Sequence, residues 1–225
     1  METTTRKWTV GVLIFEGFAV MDAFGPIQFF NLLHDEMDVV TVAATAGIKW
    51  TVPPQGGVPV DAVYSFETCP PLDVLLLPGG QYCDPFFNDL ATQEFILAQA
   101  KTAKYLLSVC TGAGFLASCG LLDGKRATTN KFCFQDITSK CGTQYKIDWI
   151  THARWTADGN IWTSSGISAG MDMTYAFLVH VFGTERMKPV LEIMEYTPSV
   201  DAAHDPFSYL TETNHVAAML QSSSS

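Results

Sequence analysis

A cysteine stands where a predicted strand passes directly into a predicted helix. The apolar residues 105–109 predict a buried strand, and the small residues that follow Cys110 predict a helix with no linker before it. A thiol at such an elbow faces the backbone amides of the helix, which stabilise the thiolate and lower the thiol pKa. Cys110 is therefore a candidate nucleophile. The alternative that the elbow leaves open is a cysteine buried as a small apolar side chain.

The group that would activate this thiol is predicted to be a carboxyl group. A nucleophilic cysteine usually has a histidine base, but the five histidines lie at the end of a helix, within an apolar helix, in an ambiguous loop or in the tail: His34, His180, His152, His204 and His215. Asp22 instead follows the first predicted strand, at the sheet edge where ligands bind in open α/β folds. It is a candidate general acid or base, and its alternative role is to cap the helix that follows.

The elements that must position these residues alternate between apolar strands and amphipathic helices. Strands are predicted at 8–15, 38–45, 72–77, 105–109, 145–149 and 161–164, and helices at 22–34, 89–102, 132–139, 169–182 and 185–196. This alternation predicts an α/β fold with a mostly parallel sheet and helices on both faces. Prolines and glycines predict an edge or hairpin at residues 49–64.

Residues at the strand and helix ends carry further expectations. The tight turn Pro78-Gly79-Gly80 ends strand 72–77, and the N–H groups of Gly80 and Thr111 are candidates for holding an anion formed on the substrate. Pro26 is expected only in the first turn of its helix. Gly183 is expected to end one helix and Thr184 to cap the next, with Pro189 delaying or bending it.

Composition bounds the class of protein. At about 150 residues per domain, 225 residues predict one large domain, drawn here over residues 1–200, with a partly disordered C-terminal extension over 201–225. The chain is 48% hydrophobic, enough to form a core. Its formal net charge of −10 repels phosphate backbones and anionic membranes, so nucleic acid is not an expected partner.

The apolar runs and the cysteines indicate the compartment. No uncharged run approaches the roughly 18 residues of a membrane span, and the run 8–15 lacks a cleavage site and predicts a strand. The six cysteines show no C-x-x-C spacing, which favours free thiols in a reducing compartment. The expectation is a cytoplasmic protein without a metal, because histidines and cysteines do not cluster at ligand spacing.

Six segments taken together resemble the ThiJ/PfpI superfamily, the flavodoxin-like relatives of class I glutamine amidotransferases. They are residues 12–15, 21–26, 73–80, 108–112, 121–129 and 163–172. The Asp-x-x-Gly-Pro pattern at 22–26 and the threonine after Cys110 are similar to the branch typified by isonitrile hydratase, whereas the glyoxalase-like branch carries Glu on the first helix. The resemblance implies a flavodoxin-like three-layer sandwich, a homodimer, no cofactor, and hydration of an isonitrile to an N-substituted formamide.

The same resemblance assigns expected roles to individual residues. Cys110 would attack the terminal carbon of the substrate and Asp22 would be the general acid or base, while Thr111 would orient one of the two. Substrate or oxyanion contacts are expected from Gly79, Gly80, Thr111 and Asn130. The family commonly reads Thr-Thr-His where this chain has Thr128-Thr129-Asn130. An asparagine, unlike a histidine, cannot supply a proton, which leaves open that this chain acts on a different substrate from the rest of the family.

Other functions stay open from the sequence. One is a specialised biosynthetic enzyme that uses the same thiol on another small electrophile, and another is a glyoxalase-like or redox-sensing stress protein in which Cys110 is oxidised. A ligand-sensing domain of a transcription regulator is disfavoured by the acidic charge and the lack of a basic helix-turn-helix. Four aromatic residues are candidates for the wall of an apolar pocket, with core or lid as their alternative: Tyr82, Phe86, Phe87 and Trp162.

Overall fold

The computed structural model describes residues 6–216. In that range the strands are β1 (Trp8–Leu13), β2 (Met37–Ala43), β3 (Gly47–Val52), β4 (Gly56–Ala62), β5 (Tyr64–Ser65), β6 (Val74–Leu77), β7 (Tyr105–Ser108), β8 (Arg126–Ala127), β9 (Asp148–Trp149), β10 (Trp155–Asp158) and β11 (Ile161–Ser164). The helices are α1 (Val20–Asn31), α2 (Asp84–Phe87), α3 (Leu90–Ala100), α4 (Ala113–Ser118), α5 (Phe134–Lys140), α6 (Ser168–Phe182) and α7 (Thr184–Met194).

Seven strands form the central sheet, in the order β10-β11-β7-β6-β1-β2-β5. All of its neighbouring strands are parallel except the antiparallel pair β10 and β11. The chain builds outward from β1 in one direction to β2 and in the other to β6, so the strand order switches between β1 and β6. In open parallel sheets this switch point leaves a crevice at the carboxyl ends of the strands, where ligands bind.

Apolar runs place the middle strands between two layers of helices. Every residue of β6 is buried, as a strand covered on both faces requires. Helix α6 packs on both α1 and α7, and α4 packs on α2 and α3. The predicted α/β fold, a flavodoxin-like sandwich with a mostly parallel sheet, is confirmed. The predicted hairpin is β3 and β4, which pair outside the central sheet.

Helix ends differ from the expectations in three places. Helix α1 begins at Val20, so Pro26 lies in its interior and not in its first turn, and the carbonyl of Asp22 receives no hydrogen bond from it. Helix α7 begins at Thr184 directly after Gly183, whose φ is 84°, and no side chain caps it. Pro189 therefore lies within α7 and does not delay its start.

Strand β10 was not predicted, because four mixed residues at a sheet edge carry little periodicity.

The chain after α7 packs against the domain. We call residues 197–212 the C-terminal strap. The backbone N–H of Arg154 donates to the carbonyl of Ala202 at 2.8 Å, and the N–H of Asp205 donates to the carbonyl of His152 at 2.8 Å. The division into a domain at 1–200 and an extension at 201–225 stays a prediction, and the tail 222–225 lies outside the described residues. None of the described helices is long and apolar enough to span a membrane.

Candidate active site

The elbow at the end of β7 holds Cys110 in a strained backbone conformation. Its φ is 61°, in the left-handed region that residues other than glycine rarely adopt and that clusters at functional sites. Its N–H donates to the carbonyl of Ser165 at 3.1 Å, and its side chain is buried. A side chain at Gly112 would overlap the carbonyl oxygen of Leu77, so this glycine lets the elbow pack closely on β6.

Asp22 lies in the first turn of α1 and is fully buried. Its Oδ2 accepts a hydrogen bond from the N–H of Gly79 at 3.0 Å, whereas its buried Oδ1 has no partner of ordinary hydrogen-bond geometry among the described residues. The N-cap of α1 is Ala19, and no side chain caps that helix. Asp22 is therefore held by the glycine loop after β6 and does not serve as a helix cap.

Burial raises the pKa values of both Asp22 and Cys110, and each group also affects the pKa of the other. Loss of hydration raises the pKa of Asp22 to about 7, although the N–H of Gly79 and the Cys110 thiol both lower it. Burial and then the charge of Asp22 raise the pKa of the Cys110 thiol well above its ordinary value, although the N–H of Thr111 and the side chain of Asn130 lower it. The expected net lowering of the thiol pKa is wrong, because desolvation and a neighbouring carboxylate outweigh the helix amides.

The N–H groups of the glycine loop, which were expected to bind an anion, already donate to side chains of the protein. The N–H of Gly79 is used by Asp22, and the N–H of Gly80 donates to Oγ1 of Thr111 at 2.9 Å. The same hydroxyl accepts from the thiol of Cys83 at 3.2 Å. The Thr111 hydroxyl therefore holds the glycine loop, and among the described residues it makes no hydrogen bond to Asp22 or Cys110. Of the expected amide donors, the N–H of Thr111 is the one that acts on the Cys110 thiol.

Asn130 contacts the thiol through its side-chain amide. Its Nδ2 donates to Sγ of Cys110 at 3.2 Å, and its Oδ1 accepts from the N–H of Cys133 at 3.0 Å, just before α5. A methyl group at Gly166 would lie 2.5 Å from Nδ2 of Asn130, so the glycine leaves room for this contact. Thr129 also supports the elbow, because its hydroxyl donates to the Cys110 carbonyl at 2.9 Å.

The structure thus brings Asp22, Cys110, Asn130 and the amide of Thr111 to one point. The sequence analysis missed three supporting residues, Cys83, Thr129 and Gly166. Thr129 and Gly166 lie in segments already singled out, 121–129 and 163–172, so they could have been found, whereas the role of Cys83 depends on a tertiary contact. Of the aromatic candidates, Phe87 packs on Phe115 and fits the core alternative. Phe86 and Trp162 also pack on other rings, but they line cavities of about 230 and 300 Å³, so the pocket role stays a prediction for them. Tyr82 is 41% exposed and covers Gly17.

The sequence model of the DJ-1/PfpI family matches residues 8–180. The chain belongs to the DJ-1/PfpI family. Isonitrile hydratase from Pseudomonas putida is 33% identical over 196 residues, which are 84% of this chain and 79% of that protein. The HTH-type transcriptional regulator GbdR of Pseudomonas aeruginosa is 25% identical over 206 residues, which are 84% of this chain and 50% of the regulator.

A solved structure supports the same fold for this DJ-1/PfpI family member. The structure of a ThiJ/PfpI family protein from Pseudomonas syringae matches with a TM-score of 0.78 and 26% identity, and the match covers 97% of this chain and 89% of that one. Drosophila melanogaster DJ-1beta matches with a TM-score of 0.72 and 15% identity, covering 85% of this chain and 100% of that one. The predicted membership of the ThiJ/PfpI superfamily is confirmed.

Proposed function

We propose that this protein is a cofactor-independent hydratase that adds water to a small isonitrile and releases an N-substituted formamide. The observation that carries the proposal is the pairing of the Cys110 thiol with a fully buried Asp22, whose pKa is raised to about 7 and whose Oδ1 has no other hydrogen-bond partner among the described residues. A carboxyl group that gains and loses a proton near neutral pH suits general acid–base catalysis. The 33% identity to isonitrile hydratase supports the same chemistry.

The first step adds the thiol across the terminal carbon of the isonitrile. That carbon has a lone pair and accepts both a proton and a nucleophile. Asp22 accepts the thiol proton and delivers a proton to the carbon, while Sγ of Cys110 forms the new bond to the same carbon. The product is a thioimidate, in which the former isonitrile carbon bears one hydrogen and the sulfur. The raised thiol pKa fits this order, because the thiol keeps its proton until Asp22 receives it.

The second step is hydrolysis of the thioimidate. A water molecule loses a proton to the Asp22 carboxylate as its oxygen attacks the thioimidate carbon, and Asp22 passes this proton to the substrate nitrogen. The carbon–sulfur bond then breaks as the new hydroxyl group becomes the formamide carbonyl. The hydroxyl proton passes through Asp22 to the sulfur, and the formamide leaves. One isonitrile and one water give one formamide, with both protein residues restored.

Asn130 and the Thr111 amide are proposed to stabilise the sulfur as it gains negative charge. The amide Nδ2 of Asn130 already donates to Sγ at 3.2 Å, and a donor that is in place before reaction needs no reorganisation. Asn130 does not titrate, so proton transfer in this proposal falls to Asp22 alone.

The test is turnover of cyclohexyl isonitrile by wild type, Cys110→Ala and Asp22→Asn, with formamide followed by mass spectrometry. Cys119→Ala is the matched control, since this thiol is partly buried on the far end of α4 and lies outside the site. We expect formamide from wild type and from Cys119→Ala, none from Cys110→Ala, and at least about a hundredfold less from Asp22→Asn.

Two results would overturn the proposal. Equal turnover by Cys110→Ala would remove the nucleophile, and full activity of Asp22→Asn would remove the acid. If wild type forms no formamide while iodoacetamide still modifies Cys110, the thiol serves another small electrophile, as in a specialised biosynthetic or glyoxalase-like enzyme, or is oxidised in a redox response.

A further inference from the structure

A cavity of about 170 Å³ lies between Asn130 and the C-terminal strap. We call it the Lys131–Asp205 chamber. Its wall consists of Asn130, Lys131, Phe132, Arg154, Ser165, Gly166, Ile167, Asp205, Phe207 and Leu210. Two of these residues touch the elbow directly: Asn130 donates to Sγ of Cys110 at 3.2 Å, and the Ser165 carbonyl accepts from the Cys110 N–H at 3.1 Å. The chamber is therefore one residue from the thiol.

One ion pair in the wall is complete and serves to hold the strap. Nε of Arg154 donates to Oδ2 of Asp172 at 2.6 Å. Oδ1 of Asp172 accepts from the Tyr196 hydroxyl and from the N–H of Ser199 at 2.9 Å. The charge and hydrogen-bonding capacity of Asp172 are thus satisfied within the protein.

Lys131 is different, because its ammonium is buried with spare donors. The side chain is 2% exposed, and its Nζ donates to the hydroxyl of Thr128 and lies 5.6 Å from the centre of the Phe134 ring. An ammonium has three donors, so two have no hydrogen-bond partner among the described residues. Burial lowers the pKa of Lys131 to about 8, against the opposing charge of Asp205.

Asp205 supplies the complementary unfilled position. It is 1% exposed, and its Oδ1 accepts from the N–H of Phe207 at 2.8 Å. Its Oδ2 is buried and has no hydrogen-bond partner within the described residues, and the nearest cation is Nη1 of Arg154 at 3.9 Å. Lys131 and Asp205 line the same chamber without forming an ion pair of their own among the described contacts. An unpaired buried carboxylate oxygen is costly, so a group from outside the protein that donates to it gains affinity.

We propose that the chamber binds the N-substituent of the substrate through a neutral hydroxyl or carboxamide that donates to Oδ2 of Asp205 and accepts from Nζ of Lys131. This inference rests on the isonitrile hydratase function proposed above and names the class of isonitrile. The group is neutral because the charges at the chamber already balance: Arg154 is paired with Asp172 outside the wall, which leaves Lys131 and Asp205 as one cation and one anion. A charged substituent would leave one charge without a partner, whereas a group that both donates and accepts satisfies both unfilled positions.

The experiment compares isonitriles that differ in one atom. Alkyl isonitriles ending in a methyl group are paired with hydroxyalkyl isonitriles of the same heavy-atom count, over chains of two to four carbons between the nitrogen and the terminal atom. At the chain length that reaches the chamber, we expect wild type to show at least about tenfold higher kcat/KM for the hydroxy compound, since sites built to bind a hydroxyl reject analogues that lack it. A ratio near one at every length would overturn the proposal.

Two variants assign the preference to the chamber. Asp205→Asn keeps the side-chain size and puts an NH2 donor at the Oδ2 position, because the N–H of Phe207 holds the remaining oxygen at the Oδ1 position. Lys131→Met removes the ammonium and keeps the side chain as far as its terminal carbon. In both we expect the hydroxy-to-alkyl ratio to fall towards one, and this ratio does not depend on how much of the protein is folded. Asp201→Asn is the matched control, because Asp201 makes the same kind of turn contact on the exposed side of the strap. An unchanged ratio in both variants would contradict the assignment.

Binding to the Cys110→Ala protein separates this inference from the reaction itself. Calorimetric titration with the same isonitrile pairs is expected to show tighter binding of the hydroxy compound, and Asp205→Asn in that background is expected to abolish the difference. That result supports the chamber even if wild type makes no formamide from any isonitrile. Equal binding of the two compounds, or binding of neither, overturns the inference whatever the turnover assay gives.

Discussion

At the level of single residues, the site is governed by where one proton resides between Asp22 and Cys110. Burial raises the free energy of the Asp22 carboxylate and of the Cys110 thiolate. Repulsion raises it further when both are charged at once. Groups coupled in this way titrate as a pair. The resting site therefore keeps the thiol protonated, and Asp22 exchanges its proton near neutral pH. A thiol held in this state is activated only when a substrate accepts the proton, which limits side reactions of the nucleophile.

Removing the charge of Asp22 should make the thiol more acidic. In Asp22→Asn the carboxylate no longer raises the pKa of Cys110, so more thiolate is present at a given pH and iodoacetamide should modify Cys110 about five- to tenfold faster at pH 8. The rate is measured on the Cys110 peptide by mass spectrometry. Asp61→Asn, an exposed site with the same change in charge, should leave the rate unchanged. An equal rate in Asp22→Asn would show that the carboxylate does not act on the thiol, and a slower rate would show that its action as a base outweighs its effect on the thiol pKa.

The sequence was informative about which residues meet and uninformative about their ionisation. Asp22, the Gly79 loop and Cys110 could be predicted to converge, because strand ends in a parallel sheet share one edge, whereas Asn130 was expected there only from the family resemblance. The sign of the thiol pKa change could not, because it depends on how completely α1 and the loop after β6 exclude water. For the same reason the contact between Thr111 and Gly80 could not be seen in the order of residues alone.

At the level of elements, the loop between β11 and α6 sets the position of Asn130. Ile167 in this loop has a φ of 34°, an uncommon value for a β-branched residue. Gly166 before it lies against Nδ2 of Asn130 and has no side chain to displace it. The loop therefore holds a strained conformation directly beside the contact between Asn130 and the thiol.

A methyl group at Gly166 should separate Asn130 from the thiol. In Gly166→Ala the new Cβ would lie 2.5 Å from Nδ2, so the amide must move. We expect kcat for the proposed hydratase reaction to fall about ten- to a hundredfold, the size of effect that a displacement of about 1 Å can cause. Steady-state kinetics and urea unfolding measure activity and stability together. Gly56→Ala, in the hairpin and also at an ordinary φ, should keep full activity. Unchanged kcat in Gly166→Ala would count against a role for Asn130.

Elements with strong periodicity were predictable, and those that depend on distant contacts were not. Apolar patterning is enough to predict both strand β6 and helix α6. The C-terminal strap shows no periodicity, and it is held by single hydrogen bonds to Arg154, His152 and Gln135. Such contacts are set by side chains far apart in the chain, so the sequence alone could not place Asp205 in the chamber wall.

At the level of the whole molecule, the strand order explains why one edge of the sheet carries the chemistry. Asp22 follows β1, the Gly79 loop follows β6, and Cys110 follows β7, three strands that are adjacent in the sheet. The switch in strand order opens the crevice that these residues line. The implied homodimer and the absence of nucleic-acid binding stay predictions. Both predictions depend on residues of the outer surface, and the residues at the carboxyl ends of these strands do not decide them.

The buried acid also makes the stability of the whole domain depend on pH. The pKa of Asp22 is raised from 3.8 to about 7 in the folded protein. The folded state therefore holds a proton that the unfolded chain releases between these values, and stability falls as pH rises through about 7. The gap corresponds to about 4 kcal/mol at most.

The difference in unfolding free energy between wild type and Asp22→Asn isolates this effect, because the Cys110 thiol, whose pKa also changes, stays protonated in wild type below pH 8 and most other groups lie far from the substitution. We expect wild type to lose roughly 2–4 kcal/mol relative to the variant between pH 4 and pH 8. Urea unfolding at four pH values measures the difference, with Asp61→Asn as the charge-matched control. A difference that stays constant with pH would mean that Asp22 keeps an ordinary pKa. The proton exchange on which the proposed acid–base role depends would then be absent near neutral pH.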